Sequence, residues 1–167
     1  MKLLHILNYN SSYNELAGVS MLPKLIVITD LQHFKLFETK KDPLGRESLE
    51  LIGSVESSDT HKRLSEKVSD QHGNFKSVGG SGAGEDHNLV LEWERRRVKE
   101  IGKQIADALE KHTHETWGLA APKAINNQIV ALLNDADKKS MKKNLHLDLI
   151  KTSNDKLLEY FSNEKGM

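Results

Sequence analysis

Between Phe75 and Leu91 the sequence FKSVGGSGAGEDHNLVL divides the chain into two halves with different hydrophobic periods. Four glycines, Gly79, Gly80, Gly82 and Gly84, fall within six residues there, and Glu85 and Asp86 follow them. Glycine populates positive φ freely and loses much entropy on ordering. Such a cluster marks a surface loop, or a segment ordered only against a partner. Upstream, the apolar residues repeat as in strands. Downstream, helical and strand periods alternate. One α/β domain follows from this order, with the loop in its middle, where functional projections are commonly placed.

The upstream half reads as a meander. Leu25 to Thr29 (LIVIT) is a continuous β-branched run, the pattern of a strand buried on both faces. Asp30 to His33 forms a turn. Phe34 to Thr39 alternates at period two, so it pairs with the first strand and keeps one wet face. Lys40 to Arg46 carries Pro43 and Gly45 and reads as a loop. In Ser48 to Ser57, Leu49, Leu51 and Val55 are expected on one face, with a bulge at Gly53. Asp59 to Asp86 shows no sustained apolar period. Residues Met1 to Ser20 are rich in Asn, Ser and Tyr and read as a poorly ordered arm. The domain is placed at 22–163, between an extension of 1–21 and a tail of 164–167.

The downstream half opens with the longest helix, Asn88 to His112. Leu91, Val98, Ile101, Ile105 and Leu109 line its apolar face. Gly102 in its interior points to close packing, expected against the sheet. Trp117 to Ala121 (WGLAA) reads as a short buried strand, which Pro122 stops before a helix from Ala124 to Leu133. That helix directs Ile125, Ile129, Leu132 and Leu133 inward. Lys138 to Lys143 is basic and reads as a short helix. Leu145 to Ile150 alternates as a strand, and Asp155 to Phe161 is a last helix capped by Ser153. The expected fold is a single α/β domain with a mixed sheet of about five strands and three main helices, in a ribonuclease-H-like layout.

Charge and cysteine usage restrict the function classes. Lys plus Arg equals Asp plus Glu at 24 each, so no global field draws the chain to nucleic acid or anionic lipid. The chain has no cysteine, which removes disulfides, thiolate metal sites and cysteine nucleophiles. Its apolar runs are too short to span a bilayer, so no membrane insertion is expected. Both features fit a cytoplasmic protein.

Candidate contacts are therefore local. Arg95, Arg96, Arg97 and Lys99 form a basic cluster on the long helix, to be joined by Lys62, Arg63, Lys67 and Lys76 as a phosphate- or RNA-binding patch. Three consecutive residues cannot share one helical face, and Glu92, Glu94 and Glu100 are at hand as ordinary surface partners. Lys138, Lys139, Lys142 and Lys143 make a second basic spot. His61, His72, His87, His112 and His114 are scattered, without a third ligand at metal spacing, so no metal and no cofactor are expected. Asp30 and Asp148, each on or beside a strand, admit a two-metal nuclease reading only if the fold brings them together. Ser81 lacks a nucleophile elbow and a base.

The strings IVITDLQHFKLFE, LELIGSVES, WERRRVKEIGKQIADALE, WGLAAPKAIN and LHLDLIKTSNDKLLEYF resemble the bacterial host attachment family, proteins required for attachment to host cells. The likeness covers about Leu22 to Phe161. Its most specific parts are Leu119 to Lys123 (LAAPK) and the ending LDLIKTSNDKLLEY. That family in turn looks like the middle domain of eukaryotic and archaeal class I translation release factors. There a glycine-glycine-glutamine loop enters the ribosomal peptidyl-transferase centre. Gly79 and Gly80 match its glycines, while Ser81 stands in place of the glutamine, keeping the N–H donor and losing the amide. The resemblance implies a loop contact through Gly79, Gly80, Ser81 and Gly82 and a ribosome or structured RNA as partner; with Ser81 in place of the glutamine, no catalytic residue is expected. A hydrolase acting on peptidyl-tRNA or RNA is the alternative reading. A protein-binding module in host interaction is the third.

Overall fold

The computed structural model describes residues 22–57 and 82–162, with side chains from residue 87 onward in the second stretch. The strands are β1 (Leu25–Thr29), β2 (His33–Lys41), β3 (Glu47–Glu56), β4 (Trp117–Ala120) and β5 (Met141–Leu145). The helices are α1 (Gly82–Lys111), α2 (Lys123–Leu132), α3 (Asp135–Ser140) and α4 (Asn154–Ser162). The sheet has five strands in the order β3-β2-β1-β4-β5. β1 runs antiparallel to β2 and parallel to β4, and β4 runs parallel to β5. This is the mixed α/β sheet expected from the sequence; among the described residues the three main helices are joined by the short one, α3, which lies three residues upstream of its expected place at Lys138 to Lys143.

The β-branched run becomes the middle strand because it has no polar face to show. Leu25, Ile26, Val27 and Ile28 are all fully buried. On one side, Leu25 and Val27 join Leu36, Trp117 and Leu119 under Val98, Ile101 and Ile105 of α1 and Ile129 of α2. On the other, Ile26 and Ile28 join Phe37, Ala120, Leu149, Leu157 and Phe161 under α4. Three layers result, two helices over the sheet and one beneath it.

Several elements depart from the sequence reading. The long helix begins at Gly82, not Asn88, so Gly82 and Gly84 are helical. Extending an already packed helix by six residues costs little beside nucleating one. At that end Trp93, not Leu91, enters the core; Leu91 is 36% exposed and Trp93 7%. The strand expected over Leu145 to Ile150 lies upstream at Met141–Leu145, where it pairs with β4. Leu149 and Ile150 still pack into the core from the turn that follows. Leu36 faces Gly53 and Phe37 faces Leu51, so Ile52 is an extra residue on β3. The bulge expected at Gly53 is therefore one residue earlier. It moves Val55 opposite Phe34, on the α1 side, away from the face of Leu49.

Two glycines mark close approaches. A Cβ on Gly102 would meet Leu132 Cδ1 at 3.2 Å and Cβ at 3.3 Å, so the close contact is with α2 and not the sheet. Leu132 covers Gly102 from outside and remains 49% exposed. A Cβ on Gly118 would stand 2.7 Å from Phe161 Cε1 and 3.0 Å from Pro23 Cγ. The ring of Phe161, 2% exposed, occupies the space that any side chain there would need.

At the amino end of β1, Glu38 lies between Lys24, at 3.1 Å, and Lys40. Lys40 also reaches Glu50 at 3.4 Å. The hydrogen bond from Lys40, then that from Lys24, holds the Glu38 carboxyl below its usual value of 4.5. A depressed carboxylate stabilises the fold above its unfolded value and loses that contribution as pH falls through the folded one. We expect Glu38→Gln to cost at most about 1 kcal/mol at neutral pH. The difference from wild type should close as urea titrations are repeated at pH values below 4.5. Gly118→Ala should destabilise by about 1–3 kcal/mol through overpacking against Phe161. Phe161→Leu in the same chain should recover part of that loss, measured by chemical denaturation.

Candidate functional site

The parallel strands β1 and β4 lie side by side, but the chain leaves them in opposite directions. From β1 it turns back into β2; from β4 it crosses through α2 and α3 to β5. The chain segments that leave the carboxyl ends of β1 and β4 therefore diverge. In open α/β sheets, ligands bind in the crevice made at such a switch point. Here a crevice of about 260 Å³ is lined by Asp30, Leu31, Gln32, Trp93, Pro122, Ala124 and Ile125.

Its walls are built locally. Asp30 closes the β1–β2 turn: its Oδ1 accepts from the amides of Gln32 at 2.7 Å and His33 at 2.6 Å. The His33 ring pairs with the same carboxylate at 3.0 Å. Thr29 Oγ1 donates to the His33 carbonyl at 2.8 Å. Arg97 reaches the turn from α1: its Nε donates to the Leu31 carbonyl at 2.8 Å, and its Nη1 donates to Glu100. The Arg97 residue is only 4% exposed. Trp93 stands one turn earlier on α1 and supplies the aromatic wall.

The opposite wall is the first turn of α2. Pro122 stops β4 and precedes Lys123, the first helical residue. Ile125 is buried beneath the crevice. Asn126, fully buried, ties this turn to β5. Its Nδ2 donates to Asn144 Oδ1 at 2.7 Å and to the Leu145 carbonyl at 3.1 Å. Asn144 Nδ2 returns a bond to Asn126 Oδ1 at 2.8 Å. A buried amide whose bonds are returned by its partner holds a helix in register more strictly than apolar packing does.

The residues singled out from the sequence scatter. Gly79, Gly80, Ser81, Lys62, Arg63, Lys67 and Lys76 lie outside the described residues, as do His61 and His72; Gly82 is the first residue of α1. Arg95, Arg96 and Lys99 face solvent, while Arg97 turns inward. Arg96 pairs with Glu92 at 3.7 Å. Lys138 and Lys139 lie in the last turn of α3, and Lys142 and Lys143 lie on β5. Burial pushes the Lys143 amine below the usual lysine value. Asp30 is engaged in its turn, and Asp148 accepts from the Ile150 amide at 3.2 Å. His114 Nδ1 donates to the His112 carbonyl at 2.8 Å. No group of three His, Asp or Glu placed to hold a metal occurs among the described residues.

A second cavity, about 600 Å³, opens at the amino ends of β1 and β4. Lys24, Lys41 and Lys142 share its lining with Glu47 and Glu115, so neither charge sign dominates there. The crevice was not legible from motifs. Trp93 stands between Glu92 and Glu94, which mask it in the sequence, although its spacing to Arg97 and Ile101 fits one inward face.

An α/β domain with an apolar crevice at its switch point, and no helix long and apolar enough to cross a membrane among the described residues, defines the class. The chain belongs to the family described as protein required for attachment to host cells, which matches residues 25–161. No curated protein matches it.

Removing Arg97 tests how the crevice is held. Arg97→Met strips the donor from the Leu31 carbonyl and should cost about 1.5–3 kcal/mol, the range for hydrogen bonds to charged groups. Arg97→Lys should recover little of this, because an ammonium lacks the planar fork that serves Leu31 and Glu100 together. Urea denaturation of the three proteins gives the comparison.

Proposed function

We propose that this chain is a protein-binding module of the host attachment family, working by holding a partner and not by turning over a substrate. The observation that carries this reading is the open apolar crevice between β1, α1 and α2. Around it the groups that could do chemistry, Asp30, His33 and Arg97, are engaged in structural hydrogen bonds. An apolar recess in a rigid frame is the usual seat of the few side chains that dominate a protein interface.

The release-factor likeness favours a different partner, a ribosome or structured RNA met through the glycine loop and the basic cluster. The surface of α1 weighs against it. Arg95, Arg96, Lys99, Lys103 and Lys111 are interspersed with Glu92, Glu94, Glu100, Asp107 and Glu110. Phosphate binding calls for a stripe of one sign, and this helix carries both.

Site-specific photo-crosslinking in cells separates the two partners. A benzoylphenylalanine at position 127, exposed on α2 one turn from Lys123, should give discrete adducts that survive nuclease and are lost to protease. The same group at position 159, on α4, should not give them. Adducts at position 127 that nuclease removes, or co-sedimentation with ribosomes that weakens steeply with salt, would replace the protein-binding reading with the RNA one.

A further inference from the structure

We infer that the cavity at the amino ends of β1 and β4 is a binding site for a short peptide with free ends, its carboxylate set at Lys41 and its ammonium at Glu115. At about 600 Å³ the cavity falls within the roughly 300–1,000 Å³ of small-molecule sites. Backbone bonds fix the strand ends that form it. The amides of Lys24 and Leu25 donate to the Thr116 carbonyl at 3.0 and 3.4 Å, and the Thr39 amide donates to the Lys24 carbonyl at 2.9 Å. Thr39 Oγ1 donates to the Pro23 carbonyl at 2.7 Å. The ends of β1, β2 and β4 are thus tied together at the cavity. Except for Leu22, the residues that line it are polar or charged. A cavity so lined holds water, and what displaces that water has to replace its hydrogen bonds. The ligand is therefore polar.

Charge and spacing choose the class of ligand. Lys24 is matched by Glu38 at 3.1 Å. Glu47 and Lys142, of opposite sign, are each engaged in interactions of their own. The Lys41 ammonium and the Glu115 carboxylate have neither an ion pair nor a side-chain hydrogen bond among the described residues. His114, charged only if protonated, directs Nδ1 to the His112 carbonyl. One cation and one anion are thereby left to a ligand. A phosphate would meet the two glutamates, a polyamine would meet the lysines, and a neutral sugar would leave both charges unanswered. A zwitterion answers both. Spacing sets its length. Lys41 closes β2 and Glu115 precedes β4, with β1 between the two strands. Neighbouring strands lie about 4.7–4.9 Å apart, so the two backbones are roughly 9–10 Å apart. A single amino acid carries both charged groups on one Cα, whereas three extended residues span about 10 Å.

Four ligands test this against the 15N-labelled full chain by NMR: trialanine, N-acetyl-trialanine, trialanine amide and alanine. Trialanine should saturably shift the amides of Lys41 and of Thr113 to Thr116. The acetylated and amidated peptides should each bind about three- to ten-fold more weakly, each having lost one charged contact. Alanine should bind more weakly than trialanine. Lys41 and Glu115 are exposed, so their substitution should keep the remaining spectrum. In Lys41→Gln the amide should bind as well as trialanine while the acetylated peptide stays weaker. In Glu115→Gln the two roles should exchange. Equal binding of the three peptides, alanine matching trialanine, shifts centred elsewhere, absence of shifts, or preferences unchanged in the two variants would each overturn the assignment. The site lies at the opposite end of β1 and β4 from the crevice, so crosslinking at position 127 tests the protein-binding reading independently of it.

Discussion

Everything in this fold leans on the parallel contact between β1 and β4. β1 is buried on both faces, and Leu25 through Ile28 pair in register with Trp117 through Ala120. A parallel pair cannot be joined by a short turn, so the chain must travel over the sheet between the two strands. α1 makes that crossing, and its apolar stripe closes the core above β1. The same parallel pairing leaves two strand ends side by side with their outgoing chains diverging. The crevice is thus a geometric result of the strand order, before any particular side chain lines it.

Side chains then decide what the crevice is like. Arg97 is spent on fixing the Leu31 carbonyl, and Asp30 on closing the turn beneath it. Asn126 locks the first turn of α2 against β5. Polar groups that elsewhere would do chemistry hold the frame here, while Trp93, Pro122 and Ile125 supply the surface. Two of the walls are helical, from α1 and the first turn of α2, and the third is the turn that Asp30 closes.

Much of the fold was legible in the residues. LIVIT announced a strand with no wet face, and the Pro after WGLAA announced the change from strand to helix. Errors arose where tertiary packing overrode a local pattern. LHLDLI alternates like a strand, yet parallel pairing with β4 is made by MKKNL, whose lysines hide the signal. Leu91 looked like core, but the inward direction at that end of α1 belongs to Trp93. The run of arginines read as one cluster because sequence adjacency says nothing about direction. Rotation of about 100° per residue separates Arg97 from Arg95 and Arg96. The crevice itself could not be read, since its lining comes from three separated segments.

The extra residue at Ile52 has a consequence for the molecule's company. Among the described residues β3 is the outer strand on its side of the sheet, with Leu51 half exposed on it. A straight outer strand of this length would be a template for further strands from other copies. A bulge in mid-strand breaks the even spacing of the outward N–H and C=O groups and sharpens the local twist. An incoming chain can match the register on one side of Ile52 or the other, but not on both. Among the described residues, that outer strand is thereby a poor template for open-ended growth.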